Sequence, residues 1–511
     1  MKEGSNKKVF TLSFVLGLVF LLAQTVFAQV EPILPKHEFP ILGRNFAVGV
    51  FSIGHVVFPA IALGGPIVAV ISQLLGIWRK DPKYDRFGKT VIKFTAISFS
   101  VGATFGVVMV VLFTALYPSF WILGVNIFTW PLVLEGILFF LEVITLYSYF
   151  YMWDRLASQK KLHLTFGIGN IIFGTLTMLI INGVATIMLT PSAGLVPVLQ
   201  ALASGKITAL PQIDLGLAAS LLYFDNPTWM VLNLHRFFAN ISFIGFVFAA
   251  AMAFYALKGK KEERAYYSWG TGYSLLWGVV PVFIMPLIGW DYSNTIKNYE
   301  AAYGNAIPQL YQALTKTEVG TYTPFMNVMV TKVWAFTLLS AFLSTLVIGS
   351  SLYLMKRAGS GIVAKIALAA QLIGAALLVI SIPGMTEDYI GFVLLIAGAI
   401  VIVIDYLKKA KGIDFSAQVP GWAYYLVILL AGVVTYAIDM MGFIREMARF
   451  PFLVPGVMRI ADIAPHSRAA TGMETTAGHV LAVITAAFVL VWLFILAGLK
   501  LTHVEKVKAA E

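Results

Sequence analysis

Two carboxylates, Glu135 and Glu142, interrupt the apolar run WPLVLEGILFFLEV at 130–143. Their separation is two turns of helix, so they share one face with about 10 Å between them along the axis. That geometry suits a proton relay, or one iron ligand followed by one relay group; carboxylates held by packing partners are the structural alternative. Other ligating side chains fall at a similar depth in their segments. His55 lies in the first long apolar run, His235 near the start of the fifth, Met329 at the start of the seventh, His479 at the start of the eleventh, and Glu446 just after the tenth. Histidine and methionine are axial ligands of heme iron, and a non-covalent b-type heme needs no cysteine. Arg236, Arg445, Arg449 and Arg459 belong to the same level and suit heme propionates through charge-assisted hydrogen bonds. Lys332, about one turn inside the seventh run, either neutralises an acid or snorkels outward. For His479 the alternative is an ordinary interfacial residue, and for Met329 ordinary packing. His37, His163 and His503 fall in loops or at interfaces and are assigned no role.

These groups need a scaffold, and the composition defines it. The chain has 511 residues, 59% hydrophobic and 12% charged, with a mean hydropathy of +0.85. A membrane crossing takes about 20 apolar residues, and such runs recur at 46–76, 89–117, 128–152, 162–191, 228–257, 266–289, 324–355, 361–382, 387–407, 421–443 and 476–499. The expected fold is all-α, a polytopic transmembrane bundle of about eleven helices. Ahead of it, residues 1–28 read as a secretory signal peptide cleaved after Ala28, with an uncleaved anchor as the alternative. Residues 29–511 then form one domain, with two long outer loops at about 192–227 and 290–323.

The net charge of +11 does not indicate nucleic acid, because Lys and Arg are spread over short loops between the runs. Alternate loops are basic, among them WRKDPKYDRFGK, DRLASQKK, KGKKEER and KKAKG. The positive-inside rule therefore puts the mature N-terminus outside and the C-terminus in the cytoplasm of a prokaryotic inner membrane. The absence of Cys excludes disulfides, thiolate metal sites and covalently attached heme in this chain.

Several segments, in order, resemble subunit I of the cytochrome bd quinol oxidases: GHVVFPAIALGG, WPLVLEGILFFLE, WDRL, NGVATIMLTPSAG, NLHRFFANISFIGFV and FIREMARFPFLVPG. The resemblance implies three hemes near the outer surface. It assigns His235 and Met329 to a low-spin heme b, His55 with Glu135 facing it to one high-spin heme, and Glu446 to the other, which is heme b or heme d. It further implies that Arg449 holds propionates, with Arg236 and Lys332 as further charge partners, and that Glu142 passes protons. Asp291, Lys297 and Glu300 would belong to a quinol loop. The sequence also departs from the family pattern. The glutamates stand one residue closer than usual, which turns Glu142 by about 100°. Asn327 stands where an Arg is usual, the quinol loop is short, and 361–407 is a two-helix insertion.

The leading expectation is a terminal-oxidase subunit that takes electrons from quinol or another outer donor, and protons from the cytoplasm, to reduce oxygen. It would work beside a second membrane subunit, or with additional small subunits. One alternative keeps the hemes but only passes electrons between a quinone and a periplasmic cytochrome. Another is a heme-free ion transporter using Glu135, Glu142 and Lys332, although transporters concentrate polar groups near the midplane.

Overall fold

The computed structural model describes residues 43–197, 226–303, 333–380, 386–449, 452–454, 458–459 and 477–508. The expected signal segment, most of 192–227, residues 304–323, Met329 and Lys332 lie outside the described residues. The helices are α1 (Arg44–Arg79), α2 (Pro82–Leu116), α3 (Pro118–Tyr151), α4 (Lys160–Ile187), α5 (Trp229–Lys258), α6 (Arg264–Val282), α7 (Met285–Tyr303), α8 (Val333–Ala358), α9 (Ile362–Ile380), α10 (Thr386–Lys409), α11 (Gly421–Arg449) and α12 (Ala477–Lys508). A short antiparallel ribbon follows α11, pairing β1 (Phe452–Val454) with β2 (Met458–Arg459). Eleven helical stretches among the described residues are long and apolar enough to cross a membrane, and α6 with α7 supplies one of them. In hydrocarbon each backbone N–H and C=O must be satisfied within the protein, which long helices largely achieve.

Successive spans alternate in direction, so α1, α3, α5, α8, α10 and α12 begin at one end of the bundle, called the upper end below. At the lower end the turns are specified locally. Lys80 caps α1 in the left-handed region, at φ 53°, with its N–H on Gly76 O. Asp81 accepts from Lys83 N at the start of α2, where Pro82 occupies a first-turn position needing no donor. Ion pairs then tie neighbouring hairpins: Arg86 to Glu263 at 2.5 Å and Lys160 to Asp85 at 3.3 Å. All four side chains are partly exposed, so each pair contributes at most about 1 kcal/mol.

Helix α5 forms the centre. Buried residues make up 72% of its most apolar window, against 50% or less in the other spans. Close approach to both neighbours depends on glycine: a Cβ at Gly64 of α1 would collide with the carbonyl of Asn240, and one at Gly245 of α5 would collide with the backbone of Gly278 in α6. Ser242 completes the α5–α6 contact by donating to Gly278 O at 2.7 Å. Helices α9 and α10 pack as a hairpin against α8.

The structure departs from the sequence expectations in three places. Residues 290–303, expected to open a loop, lie in helix α7, so Asp291, Lys297 and Glu300 are helical positions. The apolar run of α6 simply breaks after Pro281, with Phe283 and Ile284 in a turn, and the chain resumes helix. Glu446 and Arg449 likewise lie within α11, not beyond its end. His163 is neither in a loop nor at an interface but is 1% exposed. Its Nε2 donates to Tyr149 O at 2.8 Å, its Nδ1 accepts from Gln73 Nε2 at 2.9 Å, and Tyr149 Oη donates to Gln73 Oε1 at 3.0 Å. The triad joins α1, α3 and α4 near their lower ends, and its polar atoms satisfy each other with a neutral imidazole. Gln73→Leu is expected to strand the Tyr149 hydroxyl and His163 Nδ1, at about 1–3 kcal/mol for each group. A lowered thermal midpoint in detergent would show this, and an unchanged midpoint would refute it.

Candidate functional site

Helix α3 bends before it presents its acids. Pro131 has no N–H to give and crowds the preceding turn, and Phe128 leaves helical geometry at φ −110°, ψ 20°. Beyond that kink, Glu135 and Glu142 follow on one regular helical stretch. Glu142 is 4% exposed. It is seated against α4, where Gly174 leaves room for it: a Cβ there would stand 2.8 Å from Glu142 Oε1. The Thr177 hydroxyl, one turn further along α4, lies in hydrogen-bonding reach of the same carboxyl. Asn170 Nδ2 donates to the main-chain oxygen of Glu142 at 3.0 Å, which fixes the helix register at this level. The Glu135 carboxyl is close enough to Glu142 to interact with it electrostatically. The two acids therefore form a line from the upper third of the bundle toward its middle, along the α3–α4 seam.

A second group gathers around Arg236 of α5. The guanidinium is within electrostatic range of His235 beside it and of His55 on α1. Arg445 of α11 and Tyr292 of α7 also stand within its range. Four helices thus meet at one level of the upper end. His55 packs its ring against α2, where a Cβ on Gly106 would lie 3.4 Å from His55 Cε1. Its Nδ1 is buried and has no hydrogen-bond partner among the described residues. Asp291 neighbours Tyr292 on α7 but is itself exposed.

The donor set fits heme. No cluster of three or more His, Cys, Asp or Glu occurs among the described residues. A porphyrin brings its own equatorial nitrogens and asks the protein for one or two axial ligands, which single histidines such as His55 and His235 have the chemistry to supply. The orphaned His55 Nδ1 carries a cost of about 1–3 kcal/mol, which an iron or a proton-sharing partner would remove. Two mutually repelling guanidiniums, Arg236 and Arg445, mark a level where an anionic group such as a propionate is stabilised.

The matched region of the cytochrome bd terminal oxidase subunit I family model covers residues 45–503. The chain belongs to the cytochrome bd terminal oxidase subunit I family. Among relatives, a putative cytochrome bd menaquinol oxidase subunit I of Bacillus subtilis (strain 168) is 24% identical over 212 residues. That stretch covers 42% of this chain and 44% of the relative, less than half the length of either. The bd oxidase structure from Geobacillus thermodenitrificans superposes with a TM-score of 0.54 at 17% identity, covering 90% of this chain and 96% of that one. That likeness shows a shared fold, and with the eleven spans it makes this cytochrome bd subunit I a multi-pass membrane protein.

Of the residues singled out from sequence, His55, His235, Arg236 and Arg445 come together, and Glu135 pairs with Glu142. For Lys297, Glu300, Glu446, Arg449, Arg459 and His479 the description covers the backbone position alone, and Met329 and Lys332 lie outside it. Sequence reasoning passed over Gly174, Thr177 and Asn170, which build the seat of Glu142. Their signal was present as a polar and small stripe at 170, 174 and 177, one helical face of α4. It also passed over Asp439, a lone acid in the apolar run of α11. Gly174→Val is expected to displace the Glu142 carboxyl and shift its infrared carboxyl band; an unmoved band would contradict the seat described.

Proposed function

We propose that this chain is the heme-bearing subunit of a bd-type terminal oxidase, which takes electrons from quinol or another outer-side donor, reduces oxygen, and draws its protons from the cytoplasm. The observation that carries this reading is the meeting of His55, His235, Arg236 and Arg445 from three helices at one level, with a pair of carboxylates, the deeper of them buried, leading away from that level. A transporter would place its polar groups around broken helices at the midplane.

In this reading His235 and Met329 hold a low-spin heme b, His55 and Glu446 hold two high-spin hemes, and Glu135 faces the heme on His55. His479 is a candidate further ligand. Bound heme would supply one-electron transfer and an iron that binds oxygen. The chain's own residues do the rest. Arg236, Arg449 and Lys332 compensate the propionates, and Arg236 and Arg445 together favour extra negative charge at the site during reduction. Glu142, held by the Gly174 and Thr177 face of α4, carries protons upward to Glu135, two turns away and within reach of one or two bridging waters. Asp291, Lys297 and Glu300, all on α7, contribute to the quinol site. Menaquinol appears in the name of the Bacillus subtilis relative, and a quinol of that class is the proposed donor here. A second membrane subunit completes the complex in the inner membrane, with the mature N-terminus outside.

The deciding experiment is a reduced-minus-oxidised visible spectrum of the purified complex, with and without carbon monoxide, alongside heme extraction. Several non-covalent hemes with a component that binds carbon monoxide are expected. Only low-spin heme blind to carbon monoxide would instead indicate an electron-transfer subunit, and no heme would indicate an ion transporter. Within the hemed protein, His235→Ala is expected to remove the low-spin signal and leave the others. Glu142→Gln is expected to retain every heme and slow oxygen consumption by about a hundredfold, the lower range for loss of a proton-transfer group; an unaltered rate would remove Glu142 from the path.

A further inference from the structure

Arg357 stands in the last turn of α8, at the lower end of the bundle, and is only 7% exposed. One arm of its guanidinium is engaged. Nη1 donates to Ala417 O at 2.6 Å, tying α8 to the loop that leads into α11, and the charged carbon lies 5.0 Å from the centre of the Phe415 ring. The opposite edge is not engaged: Nε and Nη2 are buried and have no hydrogen-bond partner among the described residues. In a planar guanidinium the Nε–H and one N–H of Nη2 point the same way, and that parallel pair matches two oxygens of one phosphate or carboxylate. A buried charge without a counter-ion is strongly destabilising, so an anion on this edge is correspondingly favoured.

The acids nearest in the chain are committed elsewhere. Asp405 pairs with Lys409 at 2.6 Å. Asp414 is exposed and within electrostatic range of Arg357, but its carboxylate accepts from Ser416 N at 2.9 Å and from Ser416 Oγ. Tyr353 and Tyr406 also stand within electrostatic range of the guanidinium. Against those two acids, Lys356, Lys365, Lys408, Lys409 and Lys411 join Arg357 around the α8–α9 turn and the end of α10. Cations in the last turn of a helix complement its dipole, which accounts for Lys356, Lys408 and Lys409. It does not account for a buried guanidinium whose bidentate edge is unbonded.

The surroundings point to the source of the anion. At the same level, Ile362 of α9, Leu407 of α10 and Trp422 of α11 are exposed by 70%, 52% and 51%. In a membrane such side chains face acyl chains, and an indole ring at a helix end sits among the head groups. A soluble anion would gain nothing from these apolar neighbours, whereas a lipid uses both them and the lysines.

We propose that the lower ends of α8 and α10, with the loop at 413–420, bind an anionic phospholipid whose phosphate takes the Nε and Nη2 edge of Arg357. The lysines favour its net charge, and the exposed apolar side chains receive its acyl chains. Basic pockets between transmembrane helices on the cytoplasmic side hold lipid head groups in this manner, and the lower end is cytoplasmic in the orientation proposed above. Bound there, the lipid fastens the α9–α10 hairpin to the entry of α11. The site uses none of the residues assigned to heme, so its test stands whether or not the heme-bearing reading does.

The purified complex is stripped of lipid in detergent and titrated separately with phosphatidylglycerol, with phosphatidylcholine of the same acyl chains, and with inorganic phosphate. Native mass spectra count bound lipid, and thermal unfolding gives the midpoint, for the native protein, Arg357→Gln and Arg357→Lys. The expected result is a midpoint raised by phosphatidylglycerol and not by the other two, with affinity for one phosphatidylglycerol weakened about tenfold or more in both variants. Lysine retains the charge and a donor for Ala417 O but not the parallel pair, and it carries the test alone if the Gln variant does not assemble. If phosphatidylcholine acts as strongly as phosphatidylglycerol, the site does not recognise net charge. If inorganic phosphate acts as strongly, the site takes free phosphate and not lipid. If either variant binds phosphatidylglycerol as tightly as the native complex, the parallel pair is not used. Each of these three outcomes overturns the proposal.

Discussion

Charge in hydrocarbon is the constraint on which this structure turns. Each ionisable side chain among the spans must be neutral, paired, or held against something that repays its desolvation. The chain meets that constraint differently at its two ends. The lower end keeps its charges at the rim, where Arg86, Glu263, Lys160 and Asp85 pair while partly exposed. Further up, Glu142 is sunk in the bundle, and His55 of α1 is brought to His235 and Arg236 of α5.

The same constraint explains the small residues. Buried acids need donors and space, and α4 provides both through Gly174 and Thr177 while Asn170 anchors the backbone of α3. At the centre, Gly64 and Gly245 let α5 approach α1 and α6 so closely that backbone meets backbone. Without a hydrophobic force between helices in lipid, such van der Waals contact and interhelical hydrogen bonding hold the bundle together. Rigidity follows, and it matters for function: a relay across about 10 Å works only if its members keep their spacing. The Gln73–Tyr149–His163 triad, fully satisfied and remote from the upper group, reads as part of that rigidity.

The family pattern also clarifies where this chain differs. The α9–α10 hairpin packs two antiparallel spans against α8, and as a pair it leaves α11 running from the lower end to the upper. That parity keeps Glu446 at the same end as His55 and His235. Helix α7 occupies residues assigned from sequence to an outer loop and brings Tyr292 to the level of Arg236. A quinol site, in the proposed function, is therefore built at least in part on a rigid helix.

The sequence alone determined the class of the fold, the spans and the short list of ligating residues, because hydropathy and charge in a membrane chain are set residue by residue and need no knowledge of neighbours. It also carried the family resemblance through local segments. Only the tertiary structure decided which helices meet. The convergence of Arg236 with His55 and Arg445 depends on how α1, α5 and α11 pack. The burial of His163 depends on Gln73, ninety residues away, and on the carbonyl of Tyr149. Asp439 was passed over in the sequence, and the apolar surroundings of its helix are set by α1 and α12 packed beside it. Long-range partners decide these cases, since the cost or benefit of a buried polar group lies in what faces it across the bundle.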